Sequence, residues 1–182
     1  MEATLQNLIV NDPIRWPVLN FVRELRLPDC WVGAGFVRNA VWDNLHGRSS
    51  SLLDGDVDVI WFDRHRASEA EDDSLEIALR KADPTVRWSV RNQARMHLRN
   101  HDAPYVSSAD AMRFWPETAT AVAIRRTCGD CCEIAAPFGL RDLFHMVVRP
   151  TPRFAATKRE IYEDRIQKKD WTNRWPLLRV EV

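Results

Sequence analysis

The chain lacks an excess of either charge: its 182 residues hold 26 Lys and Arg against 26 Asp and Glu. That balance argues against a protein that coats nucleic acid by bulk attraction. No stretch reaches the roughly 18 apolar residues that a membrane span requires. The first residues lack the basic-then-apolar layout of a signal peptide, so a cytoplasmic location away from membranes is expected. Internal repeats, low-complexity tracts and evident linkers are missing too. Cysteine is limited to Cys30, Cys128, Cys131 and Cys132, which a cytosolic setting keeps reduced. Cys128 and Cys131 have CxxC spacing, but no second CxxC or HxxxH pair completes a zinc site. Gly129-Asp130, between two apolar runs, reads better as a hairpin turn. Asp54 to Asp58 is no calcium loop either, because Val59 and His65 stand where its glycine and glutamate belong.

What the chain does have is enough apolar material, 45% of its residues, to bury a core as one domain. We divide residues 1–182 into an N-terminal helical segment (1–28), a central core (29–100) and a hairpin with C-terminal helices (101–182). Eight tryptophans are many for this length and are expected mainly as buried anchors. The charge is unevenly spread. Residues 54–76 carry nine acids against Arg64 and Arg66, whereas 80–99 carries six Lys and Arg against Asp83 alone. An acidic strand beside arginine-rich segments suits a phosphate ligand, since Arg meets phosphate as a planar fork.

Apolar spacing predicts helices over 2–10 and 13–26, the second opened by Asp12-Pro13. A short strand at 30–33 leads into a helix over 37–45, a loop over 48–51 and a strand over 57–62. Further expectations are a helix over 68–82, a strand over 85–90 and a helix or extended arm over 91–99. A helix over 109–115 precedes a hairpin near 120–136, and helices begin at Pro137 and span 157–168. This order gives an α/β (α+β) fold with a mixed β-sheet flanked by helices.

The chemistry concentrates in two places. In Asp56-Val57-Asp58-Val59-Ile60, alternation puts both carboxylates on one strand face and the valines on the other. Carboxylates about 7 Å apart on a strand can share a hard cation such as Mg²⁺. Upstream, Gly33-Ala34-Gly35 opens a helix, where backbone N–H groups can donate to phosphate oxygens. Together these make a place for a metal-bound nucleoside triphosphate. A polar cluster of Asn92, Gln93, Arg95 and His97 follows the third strand, suited either to fixing the strand end or to reading a base edge.

Gly33-Ala34-Gly35-Phe36-Val37-Arg38-Asn39, Leu45-His46-Gly47 and Asp56-Val57-Asp58-Val59 resemble the nucleotidyltransferase superfamily that includes DNA polymerase beta and the tRNA nucleotidyltransferases. A closer resemblance is to a bacterial nucleotidyltransferase-like family, over about residues 30–176. The matching stretches are 31–46, 56–62, 88–97, 115–120 and 136–144. The resemblance implies the nucleotidyltransferase fold and transfer of a nucleoside monophosphate from an NTP to a hydroxyl or phosphate acceptor. It implies Asp56 and Asp58 as catalytic residues holding Mg²⁺ (or Mn²⁺), and Gly33, Gly35 and Arg38 as nucleotide-binding residues. The acceptor is left open, RNA being one candidate. A non-catalytic nucleotide- or RNA-binding module on the same scaffold is the alternative. The third carboxylate usual in the superfamily has no counterpart on the next strand, where Ser89 stands; Glu133 is the candidate substitute.

Overall fold

Two helices, α1 (Glu2–Val10) and α2 (Arg15–Glu24), precede the centre of the molecule in the computed structural model, which describes residues 1–49 and 52–181. Then come β1 (Trp31–Gly33), α3 (Gly35–Leu45), β2 (Val57–Trp61), α4 (Glu69–Ala82), β3 (Trp88–Asn92) and α5 (Gln93–Asn100). The second half supplies α6 (Ser108–Met112), the β4 (Ala123–Arg126) and β5 (Cys132–Ala135) hairpin, α7 (Arg141–Phe144) and β6 (Val147–Val148). Three helices, α8 (Pro152–Ala156), α9 (Arg159–Lys169) and α10 (Trp171–Arg174), lead to β7 (Arg179–Val180).

Among the described residues, five strands form one mixed sheet in the order β3-β2-β1-β4-β5, so β1 lies at its middle. Its pairings are antiparallel except β2 with β3, which is parallel. A parallel pair needs a long crossover, and α4 supplies it. That helix is well terminated: Ser68 Oγ accepts from the Glu71 N–H, acids fill the first turn, and Arg80 and Lys81 close the last. No described helix is long and apolar enough to cross a membrane.

The period-2 pattern sorts the two faces. Val57, Val59, Trp61, Trp88, Val90, Val32 and Ile124 are buried with the main core, which includes residues of α1 to α4. Trp31, Ile60, Ala123 and Ala135 join a smaller cluster with Met112 and Ala121. The tryptophans are anchors as expected. Trp42 is fully buried and meets Trp171 and Trp175 edge-on at 5.7 and 5.2 Å, tying α3 to the C-terminal segment.

Several boundaries move for local reasons. Asp12, rather than the proline after it, caps α2: its Oδ1 accepts from the N–H groups of Ile14 and Arg15. The third strand starts at Trp88 instead of residue 85, because Asp83 Oδ1 turns the chain by accepting from the Thr85 N–H and hydroxyl. Residues 93–100 are helical, capped by the Asn92 side chain. The helix expected from Pro137 begins only at Arg141, after Gly139 turns at φ +72. The expected loop at 48–51 falls partly on Ser50 and Ser51, outside the described residues.

Candidate active site

Asp58 stands opposite Gly33 on β1 and Ser89 on β3, so it projects from the interior of the sheet rather than from an edge. It faces a cleft of about 260 Å³ lined also by Ala34, Ser89, Arg91, Gln93, Trp115, Thr120 and Arg165. Asp56 precedes β2 and is exposed. Its nearest cation is Arg87, 3.6 Å away and equally exposed, a surface pair of little energetic weight.

Burial, then the charge of Asp56, raises the Asp58 carboxyl from 3.8 to about 6; Arg38, Arg165 and Lys169 pull the other way. The native state thus holds this proton more tightly than the unfolded chain. In metal-free solution stability must fall as pH rises from about 4 to about 6, and level off above. Asp58→Asn should abolish that fall, a result that urea midpoints measured with a chelator at each pH will check.

The turn before α3 departs from the expected glycine logic. Ala34, not a glycine, takes the left-handed φ of 54° with ψ −124°. Its N–H donates to the Val122 carbonyl at 3.0 Å, and its own carbonyl accepts from Arg38 at 3.0 Å. Gly33 matters for space instead: a Cβ there would lie 3.1 Å from Trp115 and 3.2 Å from the Val122 oxygen, so these neighbours would have to give way slightly. Gly35 opens the helix, and a Cβ there would meet nothing closer than 3.5 Å. Ala34→Gly should raise stability by about 1 kcal/mol, since relieving a strained φ outweighs the extra backbone entropy of glycine. A higher urea midpoint with an unchanged m-value is the expected readout.

Arg38 lies beneath the cleft. It is 6% exposed, its Nη1 donates to Thr120 Oγ1 and its Nη2 to Asn39 Oδ1, both at 2.9 Å. The guanidinium lies in the corner made by Trp171 (4.4 Å) and Trp42 (5.0 Å), whose rings meet edge-on. Burial lowers its pKa to about 10, which leaves it cationic at neutral pH. Its two Nη groups are therefore engaged by the protein, and its reach toward Asp58 is electrostatic.

Arg165 is the residue that sequence reasoning missed. Carried on α9, it enters the cleft with its Nε donating to Glu117 Oε1 at 2.5 Å. Glu117 is wholly buried. Its segment is pinned to 149–151 by Thr118 and Thr151 backbone bonds and by the Thr151 hydroxyl on the Trp115 carbonyl. No motif spacing connects residues 58, 117 and 165; only the tertiary fold does.

The remaining candidates divide. Gln93 lines the cleft. Asn92 fixes the strand end: its amide donates to the carbonyls of Asp63 and Arg66, while its Oδ1 accepts from the Asp63 and Ala94 N–H groups. Arg95 pairs with the buried Asp72, and His97 packs against Tyr105 at 6.1 Å. Glu133 is no neighbour of Asp58. It sits on β5, three strands from β2 and so about 14 Å away across the sheet, paired with Arg125. The described residues contain no group of three or more His, Cys, Asp or Glu able to hold a metal, and Cys128 and Cys131 stand exposed away from the cleft. Two carboxylates fit Mg²⁺ differently, because that ion commonly takes one or two carboxylates and completes its shell with phosphate and water.

Residues 20–180 match a protein family described as nucleotidyltransferase. Among solved structures, the chain is similar to one determined by NMR and described as a CCA-adding enzyme head domain. The two are 36% identical, with TM-score 0.88 over 100% of this chain and 96% of that one. It also resembles a CCA-adding enzyme in complex with ATP at 17% identity and TM-score 0.56, covering 100% of this chain and 42% of that one. An apo tRNA-processing enzyme matches at 17% identity and TM-score 0.56, over 90% of this chain and 44% of the other. Both of these likenesses are of fold, and the chain spans less than half the length of those enzymes. No curated protein matches it.

Proposed function

Because this chain belongs to that nucleotidyltransferase family, we propose that it transfers a nucleoside monophosphate from a nucleoside triphosphate to an acceptor hydroxyl or phosphate. The bond between the α- and β-phosphates breaks, a new bond forms from the acceptor oxygen to the α-phosphorus, and pyrophosphate leaves. The observation that carries this reading is the position of Asp58, fixed in register between Gly33 and Ser89 at the floor of a cleft beside the start of α3.

Asp56 and Asp58 would hold Mg²⁺ or Mn²⁺. When bound, the ion supplies charge stabilisation to the transferring phosphoryl group and the departing pyrophosphate. The chain's own groups orient the substrate. The α3 N-terminus, started by the Ala34 turn and continued through Gly35, offers backbone N–H groups to phosphate oxygens. Gly33 keeps β1 close to Trp115 and the Val122 carbonyl, and a side chain there would push apart the cleft wall. Arg38 and Arg165 bring positive charge near Asp58 and offset its repulsion of the triphosphate.

Ser89, at the register position where an acid would assist the acceptor, supports a second reading: a non-catalytic nucleotide- or RNA-binding module. RNA is the acceptor or ligand class suggested by the likeness to structures described as CCA-adding and tRNA-processing enzymes. Two measurements separate the readings. Thermal shift with each NTP, with and without Mg²⁺, reports binding, and pyrophosphate release in the presence of RNA and of small hydroxyl and phosphate acceptors reports transfer. A Mg²⁺-dependent shift with pyrophosphate release supports the enzyme. A shift without release under any acceptor favours a nucleotide-binding module, and no shift with any NTP refutes nucleotide binding in both readings and leaves only RNA binding.

A further inference from the structure

The motif the nucleotide site leaves unused is Cys128-Gly129-Asp130-Cys131, at the tip of the β4–β5 hairpin. We propose that Cys128 and Cys131 form a dithiol modification site, which a low-molecular-weight disulfide such as oxidised glutathione converts into an intramolecular disulfide.

Three features of the tip carry the proposal. First, the Cys131 N–H donates to the Cys128 carbonyl at 3.1 Å, the hydrogen bond of a β-turn. A β-turn keeps its first and fourth Cα atoms within about 7 Å, close to the span that a disulfide bridges. Second, the turn is anchored. Gly129 takes φ +58, Arg126 donates twice to the Gly129 carbonyl at 3.2 and 3.0 Å, and the Arg126 guanidinium stacks on Trp16 of α2 at 4.3 Å. The two thiols therefore start from neighbouring positions on an ordered tip. Third, these two cysteines are exposed, whereas Cys30 and Cys132 are buried. Burial pushes the Cys30 thiol up to about 12 and also raises Cys132, so neither supplies an attacking thiolate near neutral pH.

The chemistry balances without a metal. One exposed thiolate attacks the small disulfide, forms a mixed disulfide and expels one small thiolate. The second protein thiolate attacks the sulfur of its neighbour and expels the other small thiolate. Two protein thiols are oxidised, one small disulfide is reduced to two small thiols, and two protons leave the protein.

The test uses the full chain, reduced and then exposed to oxidised glutathione. Native thiol titration should fall from two reactive groups to none, and from four to two after denaturation. The intact mass should drop by two hydrogens with no retained glutathione, and peptide mapping should join residues 128 and 131. Cys128→Ser and Cys131→Ser should each instead keep one glutathione as a stable mixed disulfide, because the resolving thiol is gone. A wild-type protein that retains glutathione, links to a second copy, joins Cys131 to Cys132, or does not react overturns the proposal.

Discussion

Asp58→Asn should abolish the Mg²⁺-dependent thermal shift produced by a nucleoside triphosphate, a loss of about 5–10 °C for a ligand at about 100 times its Kd. Any transfer activity should fall on the order of 10³-fold, about 4 kcal/mol of transition-state stabilisation. The substitution keeps shape and removes the charge that a cation needs. Its effect on folding runs the opposite way. Asp58 is a carboxylate that burial and Asp56 make costly to ionise, so the neutral amide should stabilise the metal-free protein at pH 7. Loss of binding alongside a gain in stability distinguishes a functional carboxylate from a structural one. Asp56→Asn should also lose the nucleotide shift, with a smaller gain in metal-free stability than Asp58→Asn. It removes the repulsion of Asp58 but not the cost of its burial, and the Asp56–Arg87 pair is weak. Retention of the full shift in Asp58→Asn would remove this residue from the site.

Asp72→Ala should be the most damaging change to stability, at about 3 kcal/mol. For a chain of this size that is a Tm lower by about 6–12 °C. Asp72 is fully buried on α4 and accepts from Trp61 Nε1 at 2.8 Å, from the Asn92 N–H at 2.9 and 3.0 Å, and from Arg95. It thus binds β2, the end of β3 and α5 to the crossover helix. Alanine would strand a buried indole N–H and a buried backbone N–H, and release a largely enclosed guanidinium. Asp72→Asn keeps an acceptor and should lose less. The exposed pair Asp164–Lys168 is the control: Asp164→Ala should change stability by about 0.5 kcal/mol or less. Thermal unfolding followed by circular dichroism will order the three. An Asp72→Ala protein as stable as the Asp164→Ala control would refute this account.

The same residues show what the sequence made legible. Val57, Val59 and Trp61 against Asp58 and Ile60 give the period-2 signal of a sheet strand directly, and the strand lies where that signal is. Asp72 was invisible as a structural residue, because in Glu69-Ala70-Glu71-Asp72-Asp73 it is one acid among four on a helix. Its burial depends on which side of α4 meets β3. Of the polar cluster after β3, for which two roles are open in the sequence, Asn92 fixes the strand end by its hydrogen bonds, whereas Gln93 lines the cleft. The glycine turn was located correctly, yet the strained conformation falls on Ala34, a residue that carries no conformational signal of its own. Arg165 and Glu117 were out of reach because their pairing spans 48 positions and obeys no period. The short strands β6 and β7 were missed for the same reason: two residues each are too few to show alternation.

The placement of β1 at the middle of the sheet has a consequence for how the protein is made. One flank of β1 pairs with β2, whereas the other waits for β4, some ninety positions later (Gly33 with Ala123). The wall opposite Asp58 is later still, since Arg165 follows Asp58 by 107 positions. At about 5–20 residues synthesised per second, the two carboxylates exist for several seconds before anything encloses them. Such distant pairings also form slowly, because each closes a long loop before it is rewarded. The cleft is therefore enclosed only once α9 has been made and has packed back onto the sheet.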